Sequence, residues 1–144
     1  MAESREFDEG VLGWHTVKRT QNSDDSGTRH YYFSSRSEGE PGTTGTYFEY
    51  TNGRGHSEPG ASHQFAFGVE DRERLAAWRE HLQDHGIRVS EPKDRTDFAS
   101  IYVSDPDGLT FELRTHGPGF GVDEAEPGRT AADPFDDCSV ERRR

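Results

Sequence analysis

This sequence has few cysteines, few lysines and no long apolar stretches. Cys138 is its single cysteine, so no disulfide can form within the chain and a reducing compartment is expected. No apolar run is long enough for a signal peptide or a membrane span. We therefore expect a cytoplasmic protein without a membrane partner.

The scarcity of lysine leaves the chain strongly acidic. Lys18 and Lys93 are the only lysines, and 28 acidic residues against 17 basic ones give a net charge of -11. Such a surface repels a phosphate backbone, so nucleic-acid binding is not expected. The composition suggests a halophilic protein, whose carboxylates are screened by counterions. An ordinary acidic cytosolic protein is the alternative.

Apolar residues are also scarce, at 28% of the chain with a mean hydropathy of -1.06. Nine phenylalanines, five tyrosines and two tryptophans compensate, because each aromatic side chain buries a large area. A length of 144 residues allows one domain, or two small modules that share a core.

The first half of the chain is predicted to contain an arm and several strands. Residues 1–10 are rich in acidic side chains, and Phe7 is their one large hydrophobe beyond Met1, which is typical of a solvated, disordered arm. Strand patterns separated by turn residues then recur at Val11–Lys18, Arg29–Phe33 and Thr43–Thr51. These strands predict a first unit over residues 11–60.

The second half carries a strand, a helix and two further strands. Leu75, Trp78 and Leu82 lie on one stripe at helical spacing. Asp71 is a suitable N-cap and Gly86 a suitable stop, which predicts a helix over Arg72–His85. Strands are predicted at His63–Val69, Ser100–Ser104 and Leu109–Leu113, giving a second unit over residues 61–116. Residues 117–144 show no period and are predicted to form an irregular acidic tail.

The last of these strands holds a lone carboxylate between two apolar residues. Side chains alternate along a strand, so Phe111 and Leu113 face one side and Glu112 faces the other. A carboxylate in that position needs a cation, a hydrogen-bond donor or water. Glu112 is therefore a candidate metal ligand.

A similar strand closes the first half. The pattern of Thr110–Leu113 is repeated in Thr46–Tyr50, where Glu49 is the embedded acid. Repeated modules of this kind bury little alone and must close on each other. We predict an α+β fold in which such modules form a curled mixed sheet, or half-barrel, around a shared cavity.

The second half resembles a complete βαβββ module of the vicinal oxygen chelate superfamily, which includes glyoxalase I, bleomycin-resistance proteins and extradiol ring-cleaving dioxygenases. Its most specific motif is the turn Asp105-Pro106-Asp107-Gly108 before the strand of Glu112. Within that superfamily the chain is most similar to hydroquinone-type ring-cleaving dioxygenases. The shared motifs are Val11-Leu12-Gly13, Val17-Lys18-Arg19-Thr20, His30-Tyr31-Tyr32, Pro41-Gly42-Thr43 and Gly117-Pro118-Gly119-Phe120.

This resemblance implies a metal-dependent activity on a small molecule. Members hold a divalent metal in an open cup with histidines and a glutamate, and neighbouring substrate oxygens chelate it. It implies Fe(II) or Mn(II) as the cofactor, Glu112 as a ligand, and a small aromatic diol or similar oxygenated compound as the substrate. Tyr102 matches a tyrosine near the substrate, where it either assists proton movement as a catalytic residue or only lines the barrel.

Three further metal ligands are predicted from the same resemblance. The family's histidine ligand in this module falls on Gln64, and His63 lies one residue earlier. In strand register His63 faces the other way, unless a bulge near Ala61 turns it inward. Glu49 occupies a slot that supplies a ligand in glyoxalase-like members. The alternative for each is an ordinary structural role.

Substrate-binding residues are predicted on the aromatic strands of the first half. His30 and Tyr32 share a face, and Phe48 belongs to the next strand. A histidine in such a strand otherwise serves as a hydrogen-bonded structural residue. A metal-free cup of Tyr32, Phe48 and Tyr102 can also hold a planar ligand, so a non-enzymatic binding module is a second hypothesis.

The first module is predicted to lack its opening strand and helix, because the chain starts at the equivalent of the module's second strand. A second copy of the chain can supply the absent wall by pairing edge strands, which predicts a homodimer. A shortened, inactive relative of the family is the third hypothesis.

Overall fold

The computed structural model describes residues 1–50, 58–119 and 122. The segment 51–57 of the predicted first unit lies outside these ranges. Most of the acidic tail predicted for residues 117–144 also lies outside them.

Each half of the described chain combines helical segments with strands. The first half consists of helix α1 (Ala2–Arg5), a π-helical turn (Glu6–Val11), β1 (His15–Gln21), β2 (Arg29–Ser34) and β3 (Thr44–Glu49). The second half consists of β4 (Gln64–Val69), α2 (Arg72–Asp84), β5 (Lys93–Asp94), β6 (Ala99–Ser104) and β7 (Thr110–Thr115).

The strands form two sheets. The first sheet is antiparallel with the order β1-β2-β3, and the second is mixed with the order β4-β7-β6-β5. In the second sheet β4 runs parallel to β7, while β6 is antiparallel to both β7 and β5. The α+β class predicted from the sequence, with curled sheet modules, is confirmed.

The helix predicted in the second half is confirmed, together with both of its end signals. Asp71 Oδ1 accepts a hydrogen bond from the Arg74 backbone N–H at 2.8 Å. Gly86 ends the helix with a φ of +72°, a conformation that glycine adopts without strain. Leu75 and Leu82 are buried, because they lie on the apolar stripe of α2 and this stripe faces β6 and β7.

The expected solvated arm at residues 1–10 is instead helical and packed. Phe7 is 3% exposed, and its ring stacks on Phe111 with 6.0 Å between centroids. Ser4 Oγ donates a hydrogen bond to Asp107 Oδ2 at 2.9 Å. The prediction failed because the average polarity of a segment does not show that one of its aromatic rings has a distant partner. Burying such a ring contributes about 2 kcal/mol.

A helical segment therefore precedes the three strands of the first half, where the sequence predicted that the helix was absent. Their order, helix then β1, β2 and β3, matches α2, β5, β6 and β7 of the second half. Because residues 6–11 are helical, β1 begins at His15 rather than at Val11. The described first half contains no strand equivalent to β4, and β3 accordingly pairs with β2 alone.

Among the described residues, neither helix is long and apolar enough to cross a bilayer.

Candidate functional site

The second sheet has one apolar face and one polar face. Phe111 and Leu113 of β7 belong to the buried core that packs against α2. Glu112 points to the opposite face, as the alternation of side chains predicted. Tyr102 on β6 and Ala66 on β4 lie directly opposite Glu112 in the two ladders. These neighbours define the polar face around the carboxylate.

Glu112 is held on this face by hydrogen-bond donors from both neighbouring strands. Gln64 Nε2 donates to Oε2 at 2.5 Å, and the Tyr102 hydroxyl donates to Oε1 at 3.0 Å. Ser100 Oγ in turn donates to the Tyr102 hydroxyl at 3.3 Å. Glu112 is only 4% exposed, and these donors offset the cost of taking a carboxylate out of water.

The predicted ligands His63 and Glu49 occupy different surroundings. His63 Nδ1 lies 3.2 Å from Gln64 Oε1, and the residue is exposed at the start of β4. Glu49 lies on the first sheet, where its Oε2 accepts a hydrogen bond from the Tyr31 hydroxyl at 3.2 Å and lies 3.4 Å from Arg29 Nη1. The structure thus brings Gln64 to Glu112, with His63 beside Gln64, and leaves Glu49 outside this group.

The three predicted substrate-binding residues meet on one face of the first sheet. The His30 ring lies between the rings of Phe48 and Tyr32, at centroid distances of 4.1 and 4.2 Å. The Tyr32 hydroxyl is 3.2 Å from His30 Nδ1, and Lys18 Nζ lies 5.5 Å from the Tyr32 centroid. Phe48 is 39% exposed. The described contacts of this cluster stay within the first sheet, so its part in ligand binding remains a prediction.

The described residues do not fit a divalent metal by themselves. No group of three or more His, Cys, Asp or Glu side chains in residues 1–50, 58–119 and 122 could hold a metal ion. Within these ranges Glu112 is the one buried carboxylate on the polar face, so the face offers a single charged ligand. Transition-metal sites need several such ligands at once.

A second polar cluster joins the N-terminal segment to the turn before β7. Asp8 is 2% exposed, and its Oδ2 is buried without a hydrogen-bond partner among the described residues. Burial, reinforced by the carboxylates of Asp105, Glu9 and Asp107, raises the pKa of Asp8 to about 7. Burial and the nearby carboxylates of Asp8, Asp105 and Asp107 likewise raise the pKa of Tyr47. No pattern in the sequence indicated this cluster.

A cavity of about 330 Å³ lies between the two halves, and it is separate from Glu112. Aromatic rings line much of it, including Trp14, Tyr47, Phe65 and Phe111. Phe111 faces away from Glu112 on β7, so this cavity opens on the apolar side of the second sheet. The sequence predicted one shared cavity, whereas the Glu112 group and this cavity occupy opposite faces.

His116 is a residue near the polar face to which the sequence gave no special role. Its ring lies over Gly68 of β4, so close that a Cβ at residue 68 would be 2.4 Å from His116 Cε1. Glycine inside a strand is a known sign that another group approaches closely, and Gly68 was therefore the available signal.

These features define a class of protein: two related half-sheet modules, each with a helical segment before three strands, and a glutamate on the polar face of the final strand. A sequence model of the Glyoxalase/Bleomycin resistance protein/Dioxygenase superfamily matches residues 1–113. The chain belongs to this superfamily.

The curated relatives carry a more specific description. The chain is 43% identical over 77 residues to the putative ring-cleaving dioxygenase MhqA of Bacillus subtilis (strain 168), a match that covers 52% of this chain and 24% of MhqA. It is 37% identical over 90 residues to the putative ring-cleaving dioxygenase MhqE of the same strain, covering 62% of this chain and 29% of MhqE. The matches thus span between 24% and 29% of the length of these relatives.

Solved structures share the fold. A putative dioxygenase from Bacillus subtilis is 30% identical with a TM-score of 0.69, and the match covers 78% of this chain and 36% of that one. A glyoxylase/bleomycin resistance protein/dioxygenase domain from Frankia has a TM-score of 0.64 at 17% identity, with coverages of 80% and 87%. A mutant of the fosfomycin resistance protein FosX from Listeria monocytogenes, in a complex with Mn(II) and 1S,2S-dihydroxypropylphosphonic acid, has a TM-score of 0.59 at 17% identity, with coverages of 81% and 83%. At 17% identity the latter two show likeness of fold alone.

Proposed function

We propose that this chain is a small-molecule-binding domain of the ring-cleaving dioxygenase type, which holds an aromatic compound with neighbouring hydroxyl groups against Glu112. The observation that carries the proposal is the buried Glu112 carboxylate, fixed on a polar sheet face by Gln64 and Tyr102. The descriptions of MhqA and MhqE as putative ring-cleaving dioxygenases support an aromatic ligand.

The carboxylate retains capacity to bind such a ligand. Two carboxylate oxygens offer about four acceptor positions, and the hydrogen bonds from Gln64 and Tyr102 take two of them. A phenolic hydroxyl that donates to an ionised carboxylate forms a charge-assisted bond, which is stronger than a neutral one. Ala66, directly across from Glu112, is exposed and carries only a methyl group. In this proposal the planar ring lies over this small, exposed residue, beside the carboxylate.

Titration calorimetry with catechol on the purified chain tests this proposal. We expect catechol to bind and Glu112→Gln to weaken the affinity about tenfold or more, because the substitution removes a charged acceptor while keeping the shape of the side chain. Glu49→Gln on the first sheet is the matched control and should leave the affinity within about twofold. An unchanged affinity in Glu112→Gln, or no binding to the wild-type chain, would contradict the proposal.

A second candidate is a metal-dependent enzyme in which Glu112 is one ligand of Fe(II) or Mn(II). The descriptions of the curated relatives favour it, while the donor set of the described residues does not complete a site. Elemental analysis after loading with either metal and gel filtration separates the two candidates. Stoichiometric metal with catechol-dependent oxygen consumption supports the enzyme. Catechol binding that is unchanged by a chelator supports the metal-free module.

A further inference from the structure

His116 follows β7 directly, and its ring occupies the space above Gly68 on β4. A Cβ atom at residue 68 would lie 2.4 Å from Cε1 and 2.9 Å from Nε2 of His116, so any side chain at this position requires the His116 ring to move. Because Gly68 is two residues from Ala66 and four from Gln64, its side-chain direction is that of the polar face. The His116 ring therefore lies on the same face of the second sheet as Glu112.

The backbone on both sides of His116 is fixed, while its ring remains open to solvent. The His116 N–H donates to the Val69 carbonyl at 3.2 Å. Thr115 Oγ1 accepts from the Ala99 N–H and donates to the Gly117 carbonyl, both at 3.0 Å. His116 is exposed, and no hydrogen bond from another described residue reaches its ring nitrogens. An imidazole on a fixed backbone, whose nitrogens have no hydrogen-bond partner within the described ranges, is suited to meet a ligand.

The register of the sheet places the His116 ring over the strand position next to the one that lies opposite Glu112. Glu112 lies opposite Ala66, and the next position of β4 on this face is Gly68, under the His116 ring. These two positions are about 6.6 Å apart along a strand. The exposed Ala66 lies on β4 between Gln64 and Gly68, and the His116 ring covers Gly68. Two neighbouring hydroxyl groups on one aromatic ring, each hydrogen-bonded to its own partner, can bridge such a gap.

We infer that His116 is the second ligand-contacting group of the site: Glu112 accepts a hydrogen bond from one hydroxyl of an aromatic diol, and a ring nitrogen of His116 hydrogen-bonds to the other. This inference rests on the proposed function and extends it, since it requires two neighbouring oxygens on the ligand rather than one. Gly68 permits the contact, because glycine has no Cβ and so leaves space for the imidazole.

The test compares catechol with phenol, which lacks the second hydroxyl, by titration calorimetry on four chains: wild type, His116→Ala, Gly68→Ala and the double variant. We expect His116→Ala to weaken catechol binding about fivefold, the effect of one hydrogen bond, and to leave phenol binding unchanged. Gly68→Ala should weaken catechol binding to a similar extent, because the new Cβ displaces the ring. The double variant should be no weaker than His116→Ala alone.

His15→Ala, an exposed histidine on the first sheet, is the matched control, and circular dichroism confirms folding of every variant. Normal catechol binding by His116→Ala, together with a loss in Glu112→Gln, would overturn the inference and leave the proposed function standing. Equal losses for catechol and phenol in His116→Ala would also overturn it, since the contact would not involve the second hydroxyl. A wild-type chain that does not bind catechol would overturn both.

Discussion

Both halves of this molecule contain a tyrosine hydroxyl bonded to a glutamate, but the two pairs have different surroundings. Tyr31 donates to Glu49, whose carboxylate also faces Arg29 and whose side chain is 30% exposed. Tyr102 donates to Glu112, whose other partner is the neutral Gln64. The ion pairs among the described residues include Glu49 but not Glu112. The glutamate of the first sheet therefore faces a cation, whereas the glutamate of the second sheet has only neutral donors as partners.

The halves also differ in how their apolar residues are packed. The main buried cluster belongs to α2 and the second sheet, and the first half contributes Phe7 to it. Buried residues of the first sheet, such as Phe33, pack instead against rings of their own sheet. The polar face of the second sheet thus has the main buried cluster behind it, which is what the proposed binding site requires.

The largest expected effect comes from Phe111, where the halves meet. Its ring contacts Phe7, Trp14 and Phe67, and the residue is 2% exposed. We expect Phe111→Ala to lower the free energy of unfolding by about 3–5 kcal/mol, because a large cavity opens in the main core. Urea denaturation measures this loss.

Phe33→Ala is the counterpart in the first half. Its ring contacts Tyr31 and Tyr47 of the same sheet, so we expect a smaller loss, at the lower end of that range or about 3 kcal/mol. A larger loss for Phe33→Ala than for Phe111→Ala would contradict the conclusion that the main core lies in the second half.

The next effect is a pH dependence of the free energy of unfolding, which arises from Asp8 in the segment that joins the halves. Burial raises the pKa of Asp8 to about 7, so the folded state favours the protonated acid. The stabilisation that the Asp8 carboxyl contributes is fully present below its pKa in the unfolded chain, and it is lost as the pH rises through about 7. We expect the free energy of unfolding to fall by about 2 kcal/mol between about pH 5 and pH 8. Urea denaturation at several pH values measures this fall.

Asp8→Asn should flatten this dependence because the amide does not ionise. Some dependence of the same sign should remain, since burial also raises the pKa of Asp105. Asp84→Asn, at an exposed position of α2, is the matched control and should keep the full slope. A slope that is unchanged in Asp8→Asn would contradict the assignment to this carboxyl.

The smallest effect concerns the two tyrosines. Tyr102→Phe leaves a buried carboxylate oxygen without its hydroxyl donor, and we expect a loss of about 1.5 kcal/mol in the free energy of unfolding. Tyr31→Phe removes a bond to a glutamate that keeps Arg29 and water, so about 0.5 kcal/mol is expected. Equal losses in urea denaturation would mean that the two tyrosine–glutamate pairs contribute equally to stability, which would contradict this expectation.

Local patterns predicted the second half well. The spacing of Leu75 and Leu82, with Asp71 and Gly86 at its ends, predicted α2, and alternation along β7 predicted the side to which Glu112 points. These features depend on residues near in sequence. The packing of Phe7 on Phe111 and the position of the His116 ring over Gly68 could not be predicted in this way, because each joins residues far apart in the chain.

The sequence alone determined the family, through the resemblance of its motifs. It also determined the α+β class and the polar face of the last strand, because period and turn chemistry are local properties of the chain. Tertiary structure decided which neighbours reach that face: Gln64 and Tyr102 at Glu112, with Glu49 tied to Arg29 on another sheet. Strand register and sheet order set those distances, and both follow from long-range pairing that no local pattern encodes.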